Sequence, residues 1–239
     1  VNVRPASLDL TLSDEIYKVD AIFQPRATET VREVLDLVGK EKHQYNDPLE
    51  PSSIYIARLN ESLALPESVY AFCNPKSTTG RLDIHIRLIA DHISRYDTVH
   101  PAGWKGELWV SIVPKTFPIL AAAGASLNQL RFFNRDTRLS QLELELAVGR
   151  DKLLWNMAGT EPFAYSDIPV RDDDGSLLLS LDGVSDVIGY RGIRGTTPVE
   201  LARVGKYSAD EFFEPIASND GYVHLKQGEF YILSTREGV

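Results

Sequence analysis

The sequence has little sulfur and no long apolar run. Its 239 residues include one cysteine, Cys73, and one methionine, so neither an intrachain disulfide nor a Cys-x-x-Cys zinc site can form within them. The longest apolar stretches, such as 117–123, fall far short of the roughly 20 residues that a membrane helix needs. The first ten residues contain no apolar signal core. These absences predict a cytoplasmic protein with no membrane partner.

Basic charge is also in short supply. The chain has 25 Lys+Arg against 34 Asp+Glu, a formal net charge of −9, which argues against non-specific binding to nucleic acid. A local cluster of cations can still hold a small anion on an acidic protein. Apolar residues make up 43%, and this length allows one large or two modest globular domains.

Short alternating segments predict that residues 1–134 are mainly β-structure. The period of two that is typical of half-buried strands appears in Ser7–Leu12, Ser53–Leu59, Arg81–Leu88 and Glu107–Val113. One helix interrupts them: Thr28 is its predicted N-cap, an apolar stripe follows from Val31, and Gly39 ends it. Strands at this spacing predict an all-β sandwich or barrel with a few short helices.

The character of the chain changes after residue 134. Ser140 and Glu143 form a capping-box pattern that predicts a short helix, and Arg171–Gly175 is an acidic stretch that we interpret as an exposed turn rather than a cation site. Strand character resumes at Leu177–Leu181. We therefore predict a first unit over 1–134, a helix and loop connector over 135–176, and a further unit from 177 to 239.

A weak internal similarity suggests that the last unit begins a second copy of the first. Leu49–Arg58 resembles Leu225–Ser234, which lies 176 residues later (225 − 49), and a helix-like segment, Ser208–Phe213, precedes the second stretch. Two explanations remain open at this stage. The segments are either parts of a tandem repeat or unrelated strands that both follow a turn.

The strongest chemical signal is the turn Asn74–Arg81, with the sequence Asn-Pro-Lys-Ser-Thr-Thr-Gly-Arg. It offers two cations, three hydroxyls and backbone N–H groups to one anion, as a triphosphate requires. The spacing is not that of a Walker A loop. The alternative is an ordinary polar hairpin turn.

Three further segments carry weaker signals. In Val99–Val110 a Gly-Trp-Lys-Gly turn presents Trp104, which either stacks on a base or sugar or packs the hairpin. Gly124–Phe132 is a glycine turn followed by a strand that contains Gln129. In Pro5–Leu10 a charged Asp9 interrupts an apolar alternation and needs a partner, either Arg81 or backbone N–H groups.

These four segments, taken in order, resemble the successive motifs of the dCTP deaminase and dUTPase superfamily. The motifs are Pro-Ala-Ser-Leu-Asp-Leu, Lys-Ser-Thr-Thr-Gly-Arg, Gly-Trp-Lys-Gly-Glu-Leu and Gly-Ala-Ser-Leu-Asn-Gln-Leu. The first three are closest to dCTP deaminase and the fourth to dUTPase, over residues 5–133. With the suspected repeat, the resemblance points to the long, duplicated bacterial form of dCTP deaminase.

The resemblance implies a distorted, dUTPase-like β-barrel (β-clip) that assembles as a trimer or pseudo-trimer, and zinc-free hydrolysis of dCTP to dUTP and ammonia. Magnesium would arrive with the triphosphate. Arg81 and Ser77 would be catalytic, with Arg81 positioning the water and the pyrimidine. The substrate-binding residues that it implies are Lys76, Ser77, Thr78, Thr79, Ala90, Trp104 and Gln129.

The resemblance fails at the general base. The family has a Glu five residues after the second glycine of the Gly-Trp-x-Gly turn, where this chain has Ser111, and His100 replaces the family's Asp before the turn. Glu107 is too far from the position of Ser111 to replace it. Either a second copy supplies the Glu to a composite site, or this copy is a degenerate nucleotide-binding or scaffolding barrel. A dUTPase is a further alternative, but it would need an Asp where His100 stands.

Overall fold

Local sequence signals give a chain built mainly of short strands, and a computed structural model describes it over residues 2–168, 176–181, 186–218 and 221–238. The predicted acidic turn Arg171–Gly175 lies outside these residues. The helices are α1 (Val31–Val38), α2 (Ser77–Arg81) and α3 (Gln141–Asp151), with 3-10 turns at Tyr165–Asp167 and Ala209–Glu211. The strands are β1 (Leu8–Leu10), β2 (Leu12–Val19), β3 (Glu41–Lys42), β4 (Ile54–Ala64), β5 (Tyr70–Pro75), β6 (Ile84–Ala90), β7 (Thr98–Val99), β8 (Lys105–Pro114), β9 (Ile119–Leu120), β10 (Asn128–Phe133), β11 (Trp155–Asn156), β12 (Gly189–Gly192), β13 (Val199–Glu200), β14 (Phe213–Ile216), β15 (Tyr231–Leu233) and β16 (Glu237–Gly238).

The chain divides into two compact units. Unit 1 contains residues 1–135 and 193–212, and unit 2 contains 136–192 and 213–239. The predicted division into a first copy, a connector and a second copy stays a prediction. No helix among the described residues has both the length and the apolar character needed to cross a membrane.

Unit 1 is built on two antiparallel sheets. The larger has the order β3-β2-β4-β8-β6 and the smaller β1-β10-β5-β7. Helix α1 packs an apolar side formed by Val31, Val34 and Leu35 against Ile56 and Trp109 of the larger sheet. These sheets confirm the mainly β, dUTPase-like prediction, although their described strands do not close into one hydrogen-bonded barrel.

Two of the predicted boundaries are wrong for a local reason. The N-cap of α1 is Thr30 rather than Thr28, because Thr30 and Glu33 form a capping box in which each caps the other's backbone N–H. The predicted strand Arg81–Leu88 begins only at Ile84, since Arg81 completes α2. Helix α3 begins after Ser140 with the predicted capping box to Glu143.

Residues 193–212, which we call the strap, belong to unit 1 although the strands on either side, β12 and β14, belong to unit 2. Within the strap, β13 pairs in parallel with β9. The Val199 N–H donates to the Pro118 carbonyl (2.9 Å), and the Phe212 ring packs edge-on against Phe117 at 5.6 Å. The strap is therefore held by both a ladder and buried aromatic contact.

Unit 2 has a small core and two short sheets. Val148 of α3 packs with Leu154, Tyr165 and Ile168. Strand β11 pairs with β16, and a three-stranded sheet has the order β14-β12-β15. The strand predicted at Leu177–Leu181 is reduced to an isolated bridge between Leu181 and Thr235.

The three-stranded sheet of unit 2 repeats part of unit 1. Strand β12 lies between β14 and β15, as β2 lies between β3 and β4. The register is also the same: Tyr17 is opposite Ile56, and Tyr190 is opposite Ile232, 176 residues after Ile56. Shared order and shared register favour a tandem repeat over coincidence.

Side-chain contacts recur at the same spacing. The Glu50 N–H donates to the Tyr55 hydroxyl (2.9 Å) and the Lys226 N–H to the Tyr231 hydroxyl (3.1 Å), each pair 176 residues apart. A second recurring contact joins a backbone N–H to a glutamate carboxylate, at 2.8 Å in both copies. Its members are Thr11 with Glu61, and Ser180 with Glu237.

The tyrosine contact predicts a stability effect. Tyr55→Phe removes the acceptor for the Glu50 N–H without changing the ring, and we expect a loss of about 1 kcal/mol in the free energy of unfolding. Tyr222→Phe is the control, since Tyr222 is 72% exposed. Chemical denaturation of both variants measures the difference, and equal stability would contradict the assigned contact.

Candidate active site

A row of polar residues crosses the smaller sheet of unit 1. Strand pairing places Asp9, Gln129 and Asn74 opposite one another on β1, β10 and β5. The Lys76 Nζ donates to Asp9 Oδ2 at 2.7 Å, and Gln129 Oε1 accepts from the Ser7 hydroxyl at 3.2 Å. The sheet therefore brings together Lys76 and Gln129, two of the predicted substrate-binding residues.

Asp9 is the buried charge at the centre of this row. It is 4% exposed and pairs with Lys76 and with Arg4 Nε at 3.0 Å, so the expectation of Arg81 or backbone N–H partners is wrong. Burial raises the pKa of Asp9, but the hydrogen bonds from Lys76 and Arg4 outweigh it and hold the pKa below its ordinary value. The carboxylate thus stays charged and fixes Lys76 in place.

The α2 turn is held from the other side by one backbone carbonyl. Leu127 O accepts from the Lys76 N–H at 3.0 Å and from the Thr79 hydroxyl at 2.7 Å. Thr79 is 2% exposed, so its described contact anchors the turn. Ser77 and Thr78, by contrast, point their residues to solvent.

Arg81 ends α2 and is exposed. Its side chain has no hydrogen bond or ion pair with the part of the chain that the structure describes. Exposed hydroxyls on Ser77 and Thr78 with an uncommitted guanidinium on the same turn form an arrangement that can bind phosphate oxygens.

Trp104 packs the hairpin. The residue is 8% exposed, its indole N–H donates to the Asp91 carbonyl at 2.9 Å, and its ring covers Gly106, where a Cβ would lie 2.6 Å from the indole. The structure therefore leaves little ring surface for the predicted stacking on a substrate. Ala90, at the end of β6, is also buried, and its carbonyl accepts from the Ile93 N–H.

No carboxylate of unit 1 is available at the position of the missing base. Ser111 is 3% exposed and lies on β8 between Ile56 and Arg87. Glu107 accepts from Arg32 Nε at 3.1 Å, so an ion pair already engages it. The described residues of this copy thus hold phosphate-binding groups without a general base.

Metal ligands are not gathered at this site. The described residues contain no group of three or more His, Cys, Asp or Glu side chains that could hold a metal ion. What the α2 turn has to offer is cations and hydroxyls, which suit the phosphates of a nucleotide that carries its own magnesium.

Two residues of the site escaped the sequence reasoning. Arg4 lies outside the alternation around Asp9, and a turn in which its N–H donates to the Ser7 carbonyl folds it back. Leu127 acts through its carbonyl, and a backbone acceptor leaves no signal in residue type.

The comparisons with known proteins agree with this geometry. Residues 1–136 match the profile of the 2'-deoxycytidine 5'-triphosphate deaminase (DCD) N-terminal domain, and 157–239 match that of its C-terminal domain. The chain belongs to the dCTP deaminase family. It is thus an enzyme family of deoxynucleotide metabolism, and dCTP deamination is the function that this membership assigns.

A solved structure agrees as well. The crystal structure of 2'-deoxycytidine 5'-triphosphate deaminase from Agrobacterium tumefaciens is similar, with 34% sequence identity and a TM-score of 0.86. The match covers 100% of this chain and 67% of that chain. A search of curated proteins gave no significant match.

The Asp9 pairing predicts a pH-dependent stability. Asp9→Asn should cost about 2 kcal/mol at pH 7, because two charge-assisted hydrogen bonds are lost. The folded pKa lies below the unfolded value of 3.8, so this contribution is complete above about pH 4 and fades as the pH falls through the folded pKa. Denaturation of wild type and variant between pH 3 and pH 7 measures it, with Asp136→Asn, an exposed paired Asp, as control.

The glycine under Trp104 predicts a packing effect. Gly106→Ala should lower the free energy of unfolding by about 2 kcal/mol, because the new methyl group forces the indole to move. Gly195→Ala in the same unit meets no atom within 4 Å and should leave the melting temperature unchanged. Equal melting temperatures for both variants would show that Trp104 does not cover Gly106.

Proposed function

We propose that this copy supplies the phosphate-binding half of a composite dCTP deaminase site. Lys76, Ser77 and Thr78 bind the triphosphate, and Arg81 orients the water and the pyrimidine. The observation that carries the proposal is the α2 turn itself: it is fixed by Asp9 and by the Leu127 carbonyl, yet its hydroxyls and Arg81 stay exposed.

The reaction that this site would serve is hydrolysis at C4 of cytosine. A carboxylate base removes a proton from water, the oxygen adds to C4, and the C4–N bond breaks as ammonia leaves, which converts dCTP to dUTP. The proposal uses a carboxylate rather than zinc because one cysteine cannot form the Cys-x-x-Cys zinc site. Magnesium would be bound by the phosphates of the nucleotide.

The missing base would come from a second copy. The position of the base in this copy is Ser111, which is buried, and the nearby Glu107 is paired with Arg32. A site assembled between copies, within one chain or across an oligomer such as a trimer, would bring a Glu to the α2 turn. A cytoplasmic location is part of the same proposal, since dCTP is a cytoplasmic metabolite class.

A comparison of the two copies supports this division of roles. The stretch Ser7–Leu12 corresponds to Ser176–Leu181 through the shared contact of Thr11 and Ser180 with their glutamates. By that correspondence Leu178 stands where the first copy has Asp9. The second copy lacks the carboxylate that fixes Lys76, so phosphate binding is better served by the first copy.

Titration calorimetry with dCTP, dUTP, dTTP and ATP in the presence of magnesium tests the proposal. We expect selective binding of deoxypyrimidine triphosphates, weakened at least tenfold by Arg81→Ala, because an arginine–phosphate or arginine–base contact is worth about 1.4 kcal/mol or more. Arg95→Ala, an exposed arginine of unit 1, is the control. Turnover of dCTP by these 239 residues alone should be poor.

Other outcomes identify the alternatives. A folded protein that binds none of these nucleotides would be a scaffolding barrel. Binding without any loss in Arg81→Ala would place the nucleotide elsewhere. Release of pyrophosphate from dUTP would identify a dUTPase instead.

A further inference from the structure

A pocket of about 570 Å³ lies in unit 1 between α2 and the strap. Thr78, Thr79 and Leu82 line one wall, and strap residues that include Arg203 and Tyr207 line another. The floor is the small-residue segment 122–127. The volume is in the range of small-molecule sites. Thr78 is important here because it belongs both to this wall and to the proposed phosphate-binding residues.

The charges at the pocket favour an anion. Its only charged lining residues are Glu200 and Arg203, and Glu200 is shared by two cations: Arg203 Nε lies 2.8 Å from it and Lys206 Nζ also pairs with it. Two cations on one carboxylate leave a net charge of +1. The Arg203 side chain is 64% exposed, so its terminal nitrogens have room for a further acceptor.

We propose that Arg203 of the strap binds the terminal phosphate of the nucleotide held at α2, and so sets the preference for a triphosphate. The inference rests on the proposed function of the α2 turn. A chain of phosphates that begins at the Ser77 and Thr78 hydroxyls enters the pocket along Thr78 and reaches the opposite wall. Arginine suits this task because its planar N–H groups match phosphate oxygens.

This assignment gives the strap a reason to belong to unit 1. The β13–β9 ladder and the Phe212–Phe117 contact hold the strap beside the pocket. Glu200 lies in β13 and positions Arg203 three residues later. The cation is thus carried by a fixed strand rather than by a free loop.

The test compares Arg203→Gln with wild type in calorimetric binding of dCTP, dCDP and dCMP with magnesium. We expect the dissociation constant for dCTP to rise about tenfold and that for dCMP to change less than twofold, because only the longest phosphate chain reaches Arg203. Arg26→Gln is the matched control: Arg26 is an exposed arginine of unit 1 that pairs with Glu29 three residues away.

Each result decides one point. If Arg203→Gln keeps the wild-type ratio of dCTP to dCMP affinity, or if wild type has no such preference, the inference is wrong. Loss of binding in Arg81→Ala with no change in Arg203→Gln would leave the proposed function standing without it. Should Arg203→Gln fail to fold, Arg203→Lys, which keeps the charge, is measured instead and should lose part of the preference through its poorer geometry.

Discussion

A carboxylate that is almost completely buried requires a cation, and the pairing of Asp9 with Lys76 and Arg4 is the constraint on which the candidate site depends. It joins β1 to the residue that begins the phosphate-binding turn. The Leu127 carbonyl holds the same turn from β10's side of the sheet. With both ends fixed, the exposed hydroxyls of α2 have a defined position before any ligand binds, which lowers the entropic cost of binding.

The two copies share what folding needs and differ in what the chemistry needs. Tyrosine hydroxyls and glutamate carboxylates that satisfy backbone N–H groups recur at Tyr55 and Tyr231 and at Glu61 and Glu237. Buried or half-buried backbone donors without acceptors would destabilise either copy. Asp9, by contrast, has become Leu178, which places the difference at a residue of the site rather than of the framework.

Sequence patterns predicted the parts of this molecule that depend on local physics. Alternation identified the strands around Ile56 and Val110, and the Ser140–Glu143 pair identified the start of α3. The α2 turn was recognised by composition, but its helical form and the end of the next strand were not, since five residues carry no helical period. The partners of Asp9 are set by strand register, and the Leu127 carbonyl by backbone position, so neither could be derived from residue type.

The strap shows how duplication creates a surface that a single copy lacks. In the first copy, the connection between the corresponding strands β2 and β3 carries α1, whose apolar stripe of Val31, Val34 and Leu35 covers its own sheet. The connection between β12 and β14 has no such stripe, and its apolar residues Val199 and Phe212 pack in unit 1 instead. A segment that belongs to the second copy by sequence thereby becomes part of the first copy's pocket. A site divided in this way depends on both copies, and the loss of the base at Ser111 is then compatible with an active enzyme, because no single copy has to carry the whole of the chemistry.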